Sequence, residues 1–88
     1  MHAVLFQVDF KPDWVGDTDA ELDQVVAMTQ AMPGFVRATW AKQETWGVSF
    51  VVMADEESAR AMAAGQAIPP EASVTFRSVE VLEIARDV

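Results

Sequence analysis

Hydrophobic and polar residues alternate at the start of the chain, and this pattern predicts a β-strand over residues 3–10. The residues of one parity are apolar and lie on one face of an extended chain: Val4, Phe6, Val8 and Phe10. The strand ends before Pro12, because proline cannot donate a backbone hydrogen bond to a sheet. The polar residues after it predict a loop.

The apolar spacing then changes to three and four residues, which predicts an amphipathic helix. Thr18 and Glu21 have the spacing of a capping box, in which both side chains satisfy amide donors at the helix start. The apolar stripe consists of Leu22, Val25, Val26, Thr29 and Met32. Pro33 and Gly34 end the helix, because proline disfavours helical geometry in the residue before it and glycine accepts a positive φ.

Two runs rich in aromatic and branched residues follow at 35–42 and 46–53, and the polar turn between them predicts a β-hairpin. Asp55 is the predicted N-cap of a second helix, whose first turn is acidic. A last strand is predicted over residues 72–85. The parity of its apolar residues changes around Ser78, which indicates a β-bulge.

The predicted order is strand, helix, strand, strand, helix, strand in a single domain, residues 1–88. This is the ferredoxin-like βαββαβ pattern of the α+β class, in which two helices cover one face of a four-stranded antiparallel sheet. The strands are apolar at both parities, although two helices can cover only one face. We therefore expect a homodimer with its sheets face to face, because a domain this small buries only about 60% of its unfolded surface alone.

Charge and composition narrow the range of partners. The 88-residue chain is 51% hydrophobic and has 14 acidic against 6 basic residues, a net charge of −8. This charge disfavours binding to nucleic acid and to anionic membranes, which attract clustered lysine and arginine. The chain has no cysteine, which excludes disulfides and thiolate chemistry. No signal-peptide pattern and no apolar run of about 20 residues occurs, so we expect a cytoplasmic protein.

The order of elements and two local phrases resemble a known superfamily. One phrase is the helix exit MPGF at residues 32–35, and the other is DEESAR at 55–60, which opens the second helix. Together they look like the dimeric α+β barrel superfamily and are most similar to its antibiotic-biosynthesis-monooxygenase-like domains. The resemblance covers nearly the whole chain and implies a ligand pocket between helices and sheet in each subunit.

Members of that superfamily include cofactor-independent monooxygenases of aromatic polyketides or quinols, isomerases, haem-degrading enzymes and proteins without known activity. The haem-degrading members use an asparagine, a tryptophan and a histidine, and the histidine lies on the second helix. This chain has no asparagine at any position, and its predicted second helix has no histidine. Met62 is the only soft ligand there, and such a methionine is usually part of the core. The haem-degrading signature is absent, and we predict no cofactor.

Three ring-bearing side chains are candidates for a pocket or for catalysis. Trp40 and Trp46 flank the predicted hairpin turn and could line a pocket for a flat apolar ligand. Burial at a dimer interface is the alternative, and we favour it. His2 is the only imidazole and a candidate general base or proton relay. We favour a strand-end or interface role for it, because the sequence identifies no partner.

Three charged residues in predicted strands are also candidates. Arg37 and Arg77 need a partner or a solvent-filled cavity at such positions. Either could anchor a carboxylate or stabilise an enolate-like anion. We favour ion pairs with Glu80, Glu83 or Asp9 across strands. Asp9 is the best carboxylate candidate for a general base, and a solvated aspartate is the commoner outcome.

No metal site is predicted. An EF-hand loop starting at Asp17 needs glycine at its sixth position and glutamate at its twelfth, where this chain has Leu22 and Met28. Two functions remain. The one we favour is a homodimer that binds a small apolar or aromatic ligand. The alternative is a cofactor-independent monooxygenase or isomerase acting on a small aromatic or enolisable metabolite.

Overall fold

The computed structural model describes residues 1–66 and 68–88 and has the predicted order of elements. Its helices and strands are β1 (His2–Phe10), α1 (Thr18–Gln30), β2 (Phe35–Lys42), β3 (Trp46–Met53), α2 (Glu56–Gly65) and β4 (Val74–Glu83). Both hairpin strands have the predicted bounds. The last strand is shorter than the predicted range 72–85 at both ends. At its start, Ser73 donates its backbone N–H to the side chain of Glu21 instead of to a strand.

The four strands form one sheet in the order β2-β3-β1-β4, and every neighbouring pair is antiparallel. Each helix connects two strands that have a third strand between them, which is the split βαβ arrangement. The ferredoxin-like α+β fold is therefore confirmed. It places β2 and β4 at the two edges of the sheet and β1 and β3 in its centre.

The strand register divides the sheet into two sides. The side that the helices cover, called the helix-facing side below, contains the hydrophobic core. The core residues are Val4, Phe6, Val51 and Met53 of the sheet with Ala59 and Met62 of α2. Met62 is 2% exposed, which confirms its role in the core.

No described helix covers the other side of the sheet, called the helix-free side below. The cross-strand pairs place these residues on it: Arg37, Thr39 and Ala41 of β2, Trp46, Val48, Phe50 and Val52 of β3, Ala3, Leu5, Gln7 and Asp9 of β1, and Ser78, Glu80 and Leu82 of β4. The apolar residues among them confirm that the strands are apolar at both parities.

Carboxylates cap both helices. Asp17 accepts a hydrogen bond from the backbone N–H of Ala20 at 3.0 Å, so the predicted capping box of Thr18 and Glu21 is wrong by one residue. Asp55 caps α2 as predicted and accepts from the N–H of Ser58 at 2.7 Å. Neither described helix has the length and apolar character that crossing a bilayer requires.

Two local irregularities shape the sheet. The register between β1 and β4 shifts where Gln7 pairs with Ser78 and Val8 pairs with Phe76, which leaves Arg77 as the extra residue. This is the predicted β-bulge. Gly34 has a φ of +85°, which confirms its predicted role in leaving α1. Its carbonyl accepts a hydrogen bond from the backbone N–H of Ala54 at 2.7 Å, which joins the α1–β2 connection to the β3–α2 connection.

Candidate functional site

The two tryptophans that flank the hairpin turn lie on opposite sides of the sheet. Trp40 pairs with Ser49, which pairs with Phe6 of the core, so Trp40 is on the helix-facing side. Trp46 pairs with Asp9 and is on the helix-free side. One pocket therefore cannot contain both indole rings within a single chain.

Asp9, Arg77 and Trp46 form a cluster at one end of the helix-free side. The Arg77 guanidinium forms an ion pair with Asp9, and its Nε donates to Asp9 Oδ2 at 3.3 Å. The same guanidinium lies 5.4 Å from the centroid of the Trp46 ring, which is a cation–π distance. The bulge at Arg77 directs its side chain across β1 to these partners. This confirms the predicted pairing of Arg77 with Asp9.

The cluster has the electrostatics of a structural ion pair. The hydrogen bond from Arg77 lowers the pKa of Asp9, and the same bond raises the pKa of Arg77. A carboxylate with a lowered pKa is a weaker base, and this one has its oxygens occupied by the guanidinium. The geometry therefore disfavours Asp9 as a general base and Arg77 as a free anion anchor.

Arg37 lies at the other end of the helix-free side and does not join this cluster. Its Nη2 donates to Asp87 Oδ1 at 2.6 Å. The prediction that Arg37 has an ionic partner is confirmed, but that partner is none of the three expected carboxylates. Asp87 lies four residues beyond β4, so strand alternation gave no indication of this contact.

His2 is isolated from the other candidates. It pairs with Met53 on the helix-facing side, at the start of α2, where its Nε2 is 3.9 Å from Glu56 Oε2. Arg60 hydrogen-bonds to the same glutamate and lowers its pKa. This places His2 in a charged corner at the strand end, away from Asp9 and Arg77. Its position at the strand end is as predicted, and its role stays a prediction.

The helix-facing side is well buried only at the end where α2 packs. Toward the other end, its residues are half-buried or more exposed: Val8, Phe10, Trp40, Val74 and Phe76. Phe76 is 38% exposed and stacks on Phe6 with ring centroids 5.7 Å apart. An added Cβ at Gly47 would lie 3.2 Å from Phe10 Cζ, so the Phe10 ring lies over this glycine. These rings form an apolar floor that no described side chain fully covers.

Helix α1 packs mainly against β2 and leaves this floor partly exposed. Leu22, Val25 and Thr29 have i, i+3, i+7 spacing and share one helix face. Thr29 is buried, and Met32 beyond it packs against the core. Leu22 and Val25 on the same face are each 42% exposed. The predicted apolar stripe of α1 is therefore in contact with the core only at its C-terminal end.

A hydrogen-bonded contact holds the other end of α1. The Glu21 carboxylate accepts from the backbone N–H of Ser73 at 3.0 Å and also bonds to the Ser73 hydroxyl. The Ser73 carbonyl accepts from Lys11 at 2.8 Å, which fixes this contact to the end of β1. Helix α1 is thus attached at both ends, and between these attachments Leu22 and Val25 stay 42% exposed while the residues of the floor are only half-buried or exposed. We call the region formed by Leu22, Val25 and the apolar floor the α1 cleft.

Two concavities of measurable volume lie outside the α1 cleft. One, of about 210 Å³, is on the hairpin and is lined by Ala41, Lys42, Gln43, Trp46 and Val48. The other, of about 380 Å³, lies between the end of α1 and the start of α2 and includes Met32, Pro33, Asp55 and Ser58. Neither lies between the helices and the sheet, so an enclosed pocket there stays a prediction.

Chemistry-bearing groups are sparse in the described part of the chain. Within residues 1–66 and 68–88, no group of three or more histidine, aspartate or glutamate side chains is placed to hold a metal ion. Of the six residues selected from the sequence, only Trp40 lies beside the α1 cleft. The Glu21–Ser73 contact was not foreseen, because the two residues are 52 positions apart and each resembles an ordinary capping or loop residue.

Comparison with known proteins gives no assignment. No protein-family model and no curated protein matches this chain. The ferredoxin-like fold itself hosts many unrelated functions, so functional inference has to come from the α1 cleft and the two sides of the sheet.

Proposed function

We propose that this protein is a small-ligand-binding homodimer of the dimeric α+β barrel type, related to the antibiotic-biosynthesis-monooxygenase-like domains. Each chain binds an apolar or aromatic ligand in its α1 cleft, and two chains associate through their helix-free sides. The proposal rests on the exposure of Leu22 and Val25, which are each 42% exposed although Thr29 on the same helix face is buried. Exposed apolar surface facing an apolar floor favours an apolar occupant.

The chemistry of the cleft supports binding more than catalysis. Its floor and wall are aliphatic and aromatic, and Asp9 and Arg77 lie on the opposite side of the sheet, where they pair with each other. His2 lies at the far end of the sheet beside Glu56. A monooxygenase or isomerase stays the alternative function. Oxygen uptake that depends on an aromatic substrate and is lost in Leu22→Gln would support it.

The distribution of charged groups supports association of a second copy through the helix-free side. The chain has a net charge of −8, which opposes association of two identical chains. On this side the charges of Asp9 and Arg77 cancel, as do those of Arg37 and Asp87, and Glu80 adds one negative charge, while both helix starts are acidic. Two helix-free sides can therefore meet with little repulsion. Leu5, Val48 and Phe50 are half-buried and supply the apolar contact.

The test uses the neutral aromatic probe N-phenyl-1-naphthylamine, whose fluorescence rises in apolar surroundings. Titration should saturate at one probe per chain. Leu22→Gln should weaken binding about fivefold or more, because it places an amide on the cleft wall. Met28→Gln is the matched control, since Met28 is 71% exposed on another face of the same helix. Equal effects of the two variants, or no saturable binding, would contradict the proposal.

A further inference from the structure

The segment after β4 returns to the opposite edge of the sheet. β4 and β2 are the two edge strands, yet Asp87, four residues past Glu83, receives a 2.6 Å hydrogen bond from Arg37 of β2. Four strands are about 14 Å wide between the outer two, and four extended residues span about the same distance. Residues 84–88, called the strap below, therefore run across the sheet, with the long side chain of Arg37 reaching toward them.

The residue that holds the far end of the strap, Arg37, belongs to the helix-free side. Arg37 pairs with Val52, Val52 with Ala3, and Ala3 with Leu82, so these four residues form one row across that side. Ala3 and Val52 are each 0% exposed, although no described helix covers them. In the next rows Leu5, Phe50 and Val48 are only half-buried. The position of the strap and of the Arg37 side chain is consistent with the complete burial of Ala3 and Val52, the two central residues of this row.

The strap is attached at its two ends by polar contacts. At its start, the N–H of Ile84 donates to the Met1 carbonyl at 3.1 Å, which extends the pairing of β4 with β1. At its far end, the Arg37 and Asp87 side chains are 49% and 35% exposed. An ion pair that accessible to solvent is weak, because water and salt screen it. The far end can therefore detach while the start stays paired.

We infer that the strap competes with a second copy of the chain for the helix-free side. This inference rests on the homodimer of the proposed function. With the strap in place, the large apolar residues that a second copy can meet outside this row are Leu5, Val48, Phe50 and Trp46. With it detached, the row of Ala3 and Val52 joins the same apolar surface, and the association gains buried area. The Arg37–Asp87 pair thus limits how tightly two copies associate.

Sedimentation equilibrium of the 88-residue chain and of its point variants tests this inference. Asp87→Lys and Arg37→Gln should each tighten self-association by about fivefold or more, and removal of residues 84–88 should tighten it further. The two substitutions change the net charge in opposite directions, so a general charge effect cannot produce both results. Asp13→Lys is the charge-matched control for Asp87→Lys, since Asp13 is an exposed loop residue.

The outcomes test the role of the strap and the homodimer as two separate claims. If the 88-residue chain is dimeric, unchanged or weaker association of both point variants would overturn the role of the strap and leave the homodimer standing. If the 88-residue chain is monomeric and the variants are dimeric, the result would support the strap and contradict a native homodimer. Monomers throughout, up to millimolar concentration, would overturn both. Circular dichroism of the shortened chain establishes that it is folded, and the point variants carry the test if it is not.

Discussion

Trp40 and Trp46 are six positions apart on the two strands of one hairpin, and their side chains point to opposite sides of the sheet. Trp40 lies beside the α1 cleft on the helix-facing side, and Trp46 lies under the Arg77 guanidinium on the helix-free side. In a Trp14→Phe background, which removes the third tryptophan, indole emission from the two residues therefore reports on two different surfaces. One surface is proposed for a ligand and the other for a second copy.

We predict that an apolar ligand quenches Trp40 and leaves Trp46 unaffected. The difference arises because the sheet separates Trp46 from the α1 cleft. Titration of the Trp40→Phe chain should lose most of the ligand-dependent change in indole emission, and titration of Trp46→Phe should retain it. Loss of the change in Trp46→Phe alone would place the ligand on the helix-free side and contradict the assignment of the cleft.

The Asp9–Arg77 pair predicts a pH-dependent contribution to stability. The pKa of Asp9 is lowered in the folded chain by its hydrogen bond from Arg77. The pair therefore stabilises the fold above the unfolded pKa of about 3.9 and loses this contribution as the pH falls through the lower folded pKa. Both side chains are nearly half-exposed, so the effect is small.

Urea unfolding of the natural chain and of Asp9→Asn measures this contribution. The natural chain should have the higher midpoint at pH 7, and the difference between the two chains should shrink toward pH 2.5. Asp13→Asn is the control, because Asp13 is an exposed aspartate in the adjoining loop. A difference that stays constant from pH 7 to pH 2.5 would show that the ionised pair contributes nothing.

The Glu21–Ser73 contact predicts a specific cost of detaching α1. Glu21→Gln keeps the shape of the side chain but weakens two hydrogen bonds to a buried serine. We expect a loss of about 1–2 kcal/mol in the free energy of unfolding, typical of a partly buried bond to a charged group. Glu57→Gln is the matched control on an exposed position of α2. Amide hydrogen exchange should rise in α1 and not in α2; a uniform rise would contradict a local role.

Substitution of the methionine in α2 should destabilise the fold strongly, and substitution of the methionine in α1 should have almost no effect. Met62 of α2 is 2% exposed in the core, and Met28 of α1 is 71% exposed. Met62→Ala should lower the free energy of unfolding by about 2–5 kcal/mol through lost burial and a cavity. Met28→Ala should change it by less than about 0.5 kcal/mol. Similar thermal shifts for the two variants would contradict the described core.

Local sequence patterns were sufficient for the elements and their order. Turn residues such as Gly34, the N-cap Asp55 and the parity change near Ser78 act over a few residues, so each is visible in the sequence. The predicted N-cap of α1 was wrong by one residue, because Glu21 bonds to Ser73 and Asp17 provides the cap instead. Capping motifs cannot reveal that a distant residue competes for the same side chain.

The candidate site was less accessible from the sequence. Strand parity separates Trp40 from Trp46 only once the register of β2 on β3 is known, since a shift of one residue exchanges the two sides. The Arg37–Asp87 pair joins opposite edges of the sheet through residues beyond the last strand. The exposure of the apolar stripe of α1 depends on the distance between the helix and the sheet. Helical spacing predicts which residues face the sheet, but it does not predict that distance.

Nuclear Overhauser effects between bound N-phenyl-1-naphthylamine and the methyl groups of the labelled chain test the central claim most directly. The α1 cleft predicts contacts from the probe to Leu22 and Val25 of α1 and to Val8 on the floor, with none to Leu5 or Val48 on the helix-free side. Contacts to Leu5 and Val48 without any to Leu22 or Val25 would place the ligand on the wrong side of the sheet and contradict the account.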